Sequence, residues 1–144
     1  MSRPLVTIIV PCYNYAHFLG HTLENIRAQK YAGWECIIVD DGSTDDTDKV
    51  TATFVRTDER FRYIRQDNKG LSAARNTGIH HSRGIYIQFL DSDDLIHPSK
   101  LDKQVAILEA DRNIDITYGK SLFFHTSDPG KYYPSRDLSH RHKP

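Results

Sequence analysis

Two stretches of this chain, "LVTIIV" (5–10) and "WECIIVDD" (34–41), are apolar, rich in β-branched residues and closed by Pro11 and Gly42. Runs of this kind belong to strands buried on both faces, which occur mainly in parallel sheets covered by helices. "GIYIQFL" (84–90) is a third strong strand, "FRYIRQ" (61–66) alternates like one, and "IDITYGK" (114–120) is the last. Between them lie helical patterns. "AHFLGHTLENIRAQ" (16–29) puts Phe18, Leu19, Leu23 and Ile26 on one face. "STDDTDKVTATFV" (43–55) opens with a Ser/Thr cap and first-turn acids. "LSAARNTGIHHS" (71–82) predicts a short helix broken near Gly78. "HPSKLDKQVAILEAD" (97–111) has Pro98 at a first helical position and Leu101, Val105 and Leu108 on one face. The alternation predicts an α/β sandwich around a largely parallel sheet.

The chain's 144 residues are enough for about one domain with a proper core. Lys+Arg and Asp+Glu balance at 19 each, so no global field draws it to nucleic acid or an anionic membrane. Cys12 and Cys36 sit inside apolar runs without CxxC spacing, which predicts buried free thiols in a reducing cytoplasm. No apolar stretch approaches the ~20 residues of a membrane span, and no signal peptide is evident. A soluble, cytoplasmic protein is expected. Beyond residue 120 the pattern fades, and the basic end "SHRHKP" predicts a short disordered tail rather than a metal site at His140 and His142.

In parallel sheets ligands bind beyond the carboxyl ends of the strands, at the topological switch point. That rule gathers "PCYNY", "DDGS" and "DSDD" in one place. Asp91 and Asp93, at i and i+2, can share a hard divalent cation, which would relieve their repulsion and leave sites open for a diphosphate. A solvated acidic turn capping the next helix is the bland alternative. Of Asp40 and Asp41, one can cap the following helix while the other accepts a ligand N–H. Tyr13 can stack on a planar ring or be an ordinary half-buried tyrosine. Arg75 can meet a phosphate or form a surface ion pair.

Taken together, "VTIIVPCYNYAHFLGHTLENIRAQKYAGWECIIVDDGSTDDT", "NKGLSAARNTGI" and "GIYIQFLDSDDLIHPSKL" resemble, in order and spacing, the nucleotide-binding half of the family 2 glycosyltransferases of GT-A fold. The resemblance covers about residues 4–120, leaving 121–144 as an irregular continuation. It implies a Rossmann-like α/β/α sandwich whose acceptor half lies beyond residue 144, and a nucleoside-diphosphate sugar as donor, usually with uridine. Pro11 and Tyr13 would line the base pocket and Asp41 would hold the base. Asn68, Lys69, Gly70, Arg75 and Asn76 would border the nucleotide. Asp91, with Ser92 beside it, would lie near ribose and metal, and Asp93 would ligate Mn²⁺ or Mg²⁺.

The resemblance further implies inverting transfer to a hydroxyl of a carbohydrate or lipid-linked acceptor, in polysaccharide or glycoconjugate synthesis. Any attachment to the inner face of a membrane would come from other segments or partners. The general base is expected beyond residue 144, since Asp128 and Asp137, the acids after residue 120, match no motif. A donor-binding module without catalysis by itself is therefore the runner-up. A phosphoacceptor receiver fits less well, because its acidic pair ends the first strand rather than the second. A sugar nucleotidyltransferase would need a Gly-rich basic loop where "PCYNY" stands.

Overall fold

In the computed structural model, residues 5–125 and 128–134 are described. The expected tail with His140 and His142, and Asp137, lie outside the described residues. The chain divides into two compact units, Met1–Lys103 and Gln104–Pro144. In the first, β1 (Val6–Cys12), β2 (Trp34–Asp40), β3 (Phe61–Arg65) and β4 (Tyr86–Phe89) alternate with α1 (Ala16–Arg27), α2 (Thr47–Thr57) and α3 (Leu71–His81). A fourth helix, α4 (Lys100–Ala110), begins in the first unit and ends in the second.

The sheet has the order β3-β2-β1-β4 with every pairing parallel. Every residue of β1 and β2 is buried, as their unbroken apolar runs require. On one face Ile9, Ile37 and Val39 form a core with Ala74 of α3, and Ile64 packs against it. On the other, Phe61 meets Trp34 at 5.3 Å and Phe54 of α2 at 5.5 Å between ring centroids. From β1 the sheet grows first through β2 to β3, and then on the opposite side to β4. The switch point therefore lies between β1 and β4, beyond their carboxyl ends.

Several boundaries differ from the expectation. α3 runs unbroken through Gly78, because a Cβ there would stand 2.4 Å from Ile9 Cγ2. The glycine permits close helix–sheet approach rather than ending the helix. α2 starts at Thr47 instead of 43, since Ser43 and Thr44 spend their polar atoms on Asn14. α4 starts at Lys100, so Pro98 precedes the helix, and its carbonyl accepts the Lys30 N–H at 3.0 Å.

In the second unit, 114–120 is not a strand, and Ile116 and Tyr118 are exposed. Alternation gives a segment the capacity to pair, but no ladder among the described residues includes it. Where an irregular continuation was expected after residue 120, β5 (Leu122–His125) and β6 (Asp128–Pro134) form an antiparallel ribbon with a register shift at Phe124/His125.

Candidate active site

The loops after β1 and β2 are tied together by short polar side chains. Asn14 adopts a left-handed conformation (φ 56), which an Asx side chain tolerates better than most. Its N–H donates to Ser43 Oγ (3.0 Å), while its Oδ1 accepts from the Thr44 N–H (2.8 Å). Asp45 Oδ2 accepts the Ala16 N–H at 2.9 Å, so the first turn of α1 is capped from another loop. Pro11, inside β1 and opposite Val39 of β2, is buried, and Tyr13 is 48% exposed at the rim. Cys12 between them is buried, and desolvation pushes its thiol pKa up.

Asp40 and Asp41 have different work. Asp40 is fully buried, with Oδ1 accepting the Ser43 N–H (2.7 Å) and Oδ2 the Tyr63 hydroxyl (2.5 Å). Arg65 lies 3.3 Å away, and burial together with Asp40 pushes the Tyr63 pKa up to about 12. Asp40 clamps a turn and does not cap α2, whose N-cap is Asp46. Asp41 instead holds the loop after β3. Its Oδ1 accepts from Gln66 Nε2 (2.7 Å) and the Lys69 N–H (3.0 Å), and its Oδ2 from the Gly70 N–H (2.7 Å). A carboxylate has about four acceptor directions, and these contacts use three of them. Gly42 makes the junction possible: its φ is +81, and a Cβ would stand 2.9 Å from the Asn68 backbone nitrogen.

Gly70, with Asn68 and Lys69 exposed before it, leads into α3. A polar basin beside them is lined by Arg65, Gln66, Asp67 and Lys69. Along α3, Asn76 is exposed and Arg75 reaches across to Asp91, Nη2 to Oδ1 at 2.8 Å, with its guanidinium 5.6 Å from the Phe89 ring centroid. Arg75 Nε is buried without an acceptor, so not all of its donors are used.

After β4, the Leu90 N–H still bonds to Ile9 O (3.0 Å), and the chain then turns at Asp91–Asp94. α1 holds this loop from below. Thr22 Oγ1 donates to the carbonyls of Ser92 (2.9 Å) and Asp94 (3.1 Å), Asn25 Oδ1 accepts the Ile96 N–H (2.8 Å), and just past the helix Gln29 Nε2 donates to His97 O (3.1 Å). Ser92 is buried beside Cys12, whereas Asp91 and Asp93 are exposed. Partial desolvation, with the charges of Asp93 and Asp91, raises the Asp94 carboxyl above its usual range.

Among the described residues no three His, Cys, Asp or Glu side chains gather as a ready metal cage. Asp91 and Asp93 offer hard oxygen donors of the kind Mn²⁺ and Mg²⁺ take, the other positions falling to phosphate and water. The donor set fits such an ion only with a diphosphate present. In this structure Arg75 supplies the counter-charge at Asp91.

The structure therefore joins Asp41 to Lys69 and Gly70, and Arg75 to Asp91. It brings Asp93 into no hydrogen bond or ion pair of this network. Sequence reasoning missed Asn14, Thr22, Asp45, Gln66 and Thr77, whose Oγ1 donates to Gln66 Oε1 (2.6 Å). For Thr22 a signal existed, since it adjoins Leu23 and shares the buried face of α1 with Ile26.

The description "Glycosyl transferase family 2" fits residues 7–139. Over 131 residues the chain is 39% identical to the glycosyltransferase GlyA of Streptococcus pneumoniae, covering 89% of this chain and 18% of that protein. Over 132 residues it is 38% identical to the glycosyltransferase EpsJ of Bacillus subtilis, covering 91% and 38%. Among solved structures, it resembles the mannosyltransferase PcManGT of Pyrobaculum calidifontis in complex with GDP-Man and Mn²⁺. The TM-score is 0.68 and the identity 31%, over 75% of this chain and 33% of that one. S. aureus TarS 1–349 in complex with UDP-GlcNAc gives a TM-score of 0.69 at 27% identity, over 73% and 31%. The chain thus spans 18–38% of the length of these proteins. No helix among the described residues is long and apolar enough to cross a membrane. The sheet and helices are those of the GT-A glycosyltransferases, and with the family pattern running from residue 7 to 139, the chain belongs to glycosyl transferase family 2.

Proposed function

We propose that residues 5–103 bind the donor of an inverting sugar transfer, a nucleoside-diphosphate sugar with uridine favoured. The observation that carries the reading is Asp41: a buried carboxylate, held by Lys69 and Gly70 backbone N–H groups, with an acceptor direction left beyond the sheet's carboxyl edge. Such a group accepts the imide N–H of the base. Pro11 and Tyr13 form the wall on which the base rests, and Asn68, Lys69, Gly70 and Asn76 border the nucleotide. Arg75 exchanges Asp91 for phosphate oxygens, a planar fork of donors serving either partner. Asp91, beside Ser92, and Asp93 hold Mn²⁺ or Mg²⁺ against the diphosphate. The cation's contribution is to stabilise negative charge on the departing nucleoside diphosphate.

The acceptor in this reading is a hydroxyl of a carbohydrate or lipid-linked molecule, in polysaccharide or glycoconjugate synthesis. The setting is cytoplasmic, at the inner face of a membrane through other segments or partners. The narrower reading is a donor-binding module that does not catalyse transfer by itself, with the general base supplied by residues outside 1–144.

Thermal unfolding with nucleoside diphosphates tests the site, because a ligand bound only to the native state raises its melting temperature. UDP should stabilise more with Mn²⁺ than alone, and Asp93→Ala should remove that increment while the unliganded protein melts as before. A variant that binds metal and UDP like the parent would show the metal assignment to be wrong. UDP should also outrank GDP and ADP; equal shifts from all three would remove the case for a uridine pocket.

A further inference from the structure

Gln66 lies outside the motifs and Thr77 lies within "NKGLSAARNTGI" without a role assigned to it, yet both complete the surroundings of Asp41. Gln66 Nε2 donates to Asp41 Oδ1 at 2.7 Å, and Gln66 Oε1 accepts from Thr77 Oγ1 at 2.6 Å. A glutamine amide has a donor end and an acceptor end that differ little in shape, so its orientation is set by its partners. Thr77, on α3, gives the acceptor end a donor. Reversed, the amide would turn its carbonyl oxygen on the Asp41 carboxylate, and two acceptors would face each other. The hydroxyl therefore selects the orientation that keeps Asp41 in place, with its Oδ2 accepting the Gly70 N–H and keeping one further acceptor direction for the nucleotide.

We infer that Thr77 is a positioning residue for donor-base recognition, acting through the Gln66 amide on Asp41. The inference rests on the reading that Asp41 accepts the base N–H. It makes a statement that the reading alone does not: a hydroxyl outside the set of groups assigned to the nucleotide sets selectivity for the base.

The test compares UDP with 3-methyl-UDP, which lacks the imide N–H, by calorimetric titration with Mn²⁺. The parent should prefer UDP by about tenfold, the worth of one hydrogen bond to a charged group. Thr77→Val should bring that ratio close to one while binding 3-methyl-UDP as the parent does, and Thr77→Ser should restore it. A general loss of packing would weaken both ligands together. Should Thr77→Val fold poorly, Thr77→Ser and the side-chain NH₂ resonances of Gln66 carry the test. Those resonances should move in Asp41→Asn and stay in Thr77→Ser. If the parent binds both ligands alike, the base-binding reading fails and the inference with it. If Asp41→Asn abolishes the preference but Thr77→Val keeps it, or the Gln66 resonances ignore Asp41→Asn, the inference alone is overturned.

Discussion

Asp58 ends α2 with a hydrogen-bonded pair to Arg60, whose guanidinium lies 3.9 Å from the Trp34 ring centroid. The hydrogen bonds of Arg60, outweighing some desolvation, lower the Asp58 carboxyl below its ordinary value. A carboxyl whose folded pKa is depressed contributes stability that is full above its unfolded pKa of about 4 and is lost as pH falls through the folded value. Asp58→Asn should therefore cost about 1 kcal/mol at pH 7, a modest figure because Arg60 is partly exposed. The gap in urea midpoint should close below about pH 4; a gap constant from pH 7 to pH 3 would contradict the charge argument. The same lesson holds for Asp40 and Asp41. Their order in the chain left open which one serves the fold, because the answer depends on Tyr63 and Gly70, more than 20 residues away, with separations of 23 and 29.

Thr22 acts at the scale of elements, linking α1 to the loop after β4. Its buried hydroxyl serves the carbonyls of Ser92 and Asp94, so Thr22→Val keeps the shape and removes the donor. Leaving those carbonyls unpaired should cost about 1–3 kcal/mol. It should also reduce the Mn²⁺-dependent part of UDP binding several-fold, while binding without metal stays the same. An undiminished metal increment would confine Thr22 to stability. The strands and the order of the site loops were legible, because apolar runs such as "WECIIVDD" announce themselves locally. The loop struts were not, since Thr22 and Ser92 lie 70 residues apart. Helix ends were misjudged for a related reason: Ser43 and Thr44 suit a cap, but Asn14 competes for them and wins. Segment 114–120 reads as a strand in the sequence, yet no partner among the described residues pairs with it.

For the whole molecule, the question is how much chemistry this chain performs by itself. The groups proposed for the donor side lie on loops beyond one sheet edge and on α3, and Asp41, Arg75 and Asp91 are already held by neighbours. Transfer needs more: a carboxylate to take the acceptor's proton and a wall to orient its hydroxyl. Each is worth orders of magnitude, roughly 10²–10⁴-fold for general base catalysis and more for positioning. Asp91 and Asp93 are committed to the donor side in the proposed complex, and no other described carboxylate is assigned to the proton. Residues 1–144 should therefore bind UDP with Mn²⁺ and transfer negligibly, with at most slow hydrolysis of the donor by water. The assay is UDP release from UDP-sugars with and without acceptor sugars, beside a longer protein that carries the remaining length of its relatives. The longer protein should transfer with inversion at the anomeric carbon. Efficient transfer by residues 1–144 alone would place the base within those residues, with the acidic turn after β4 the first place to look for it.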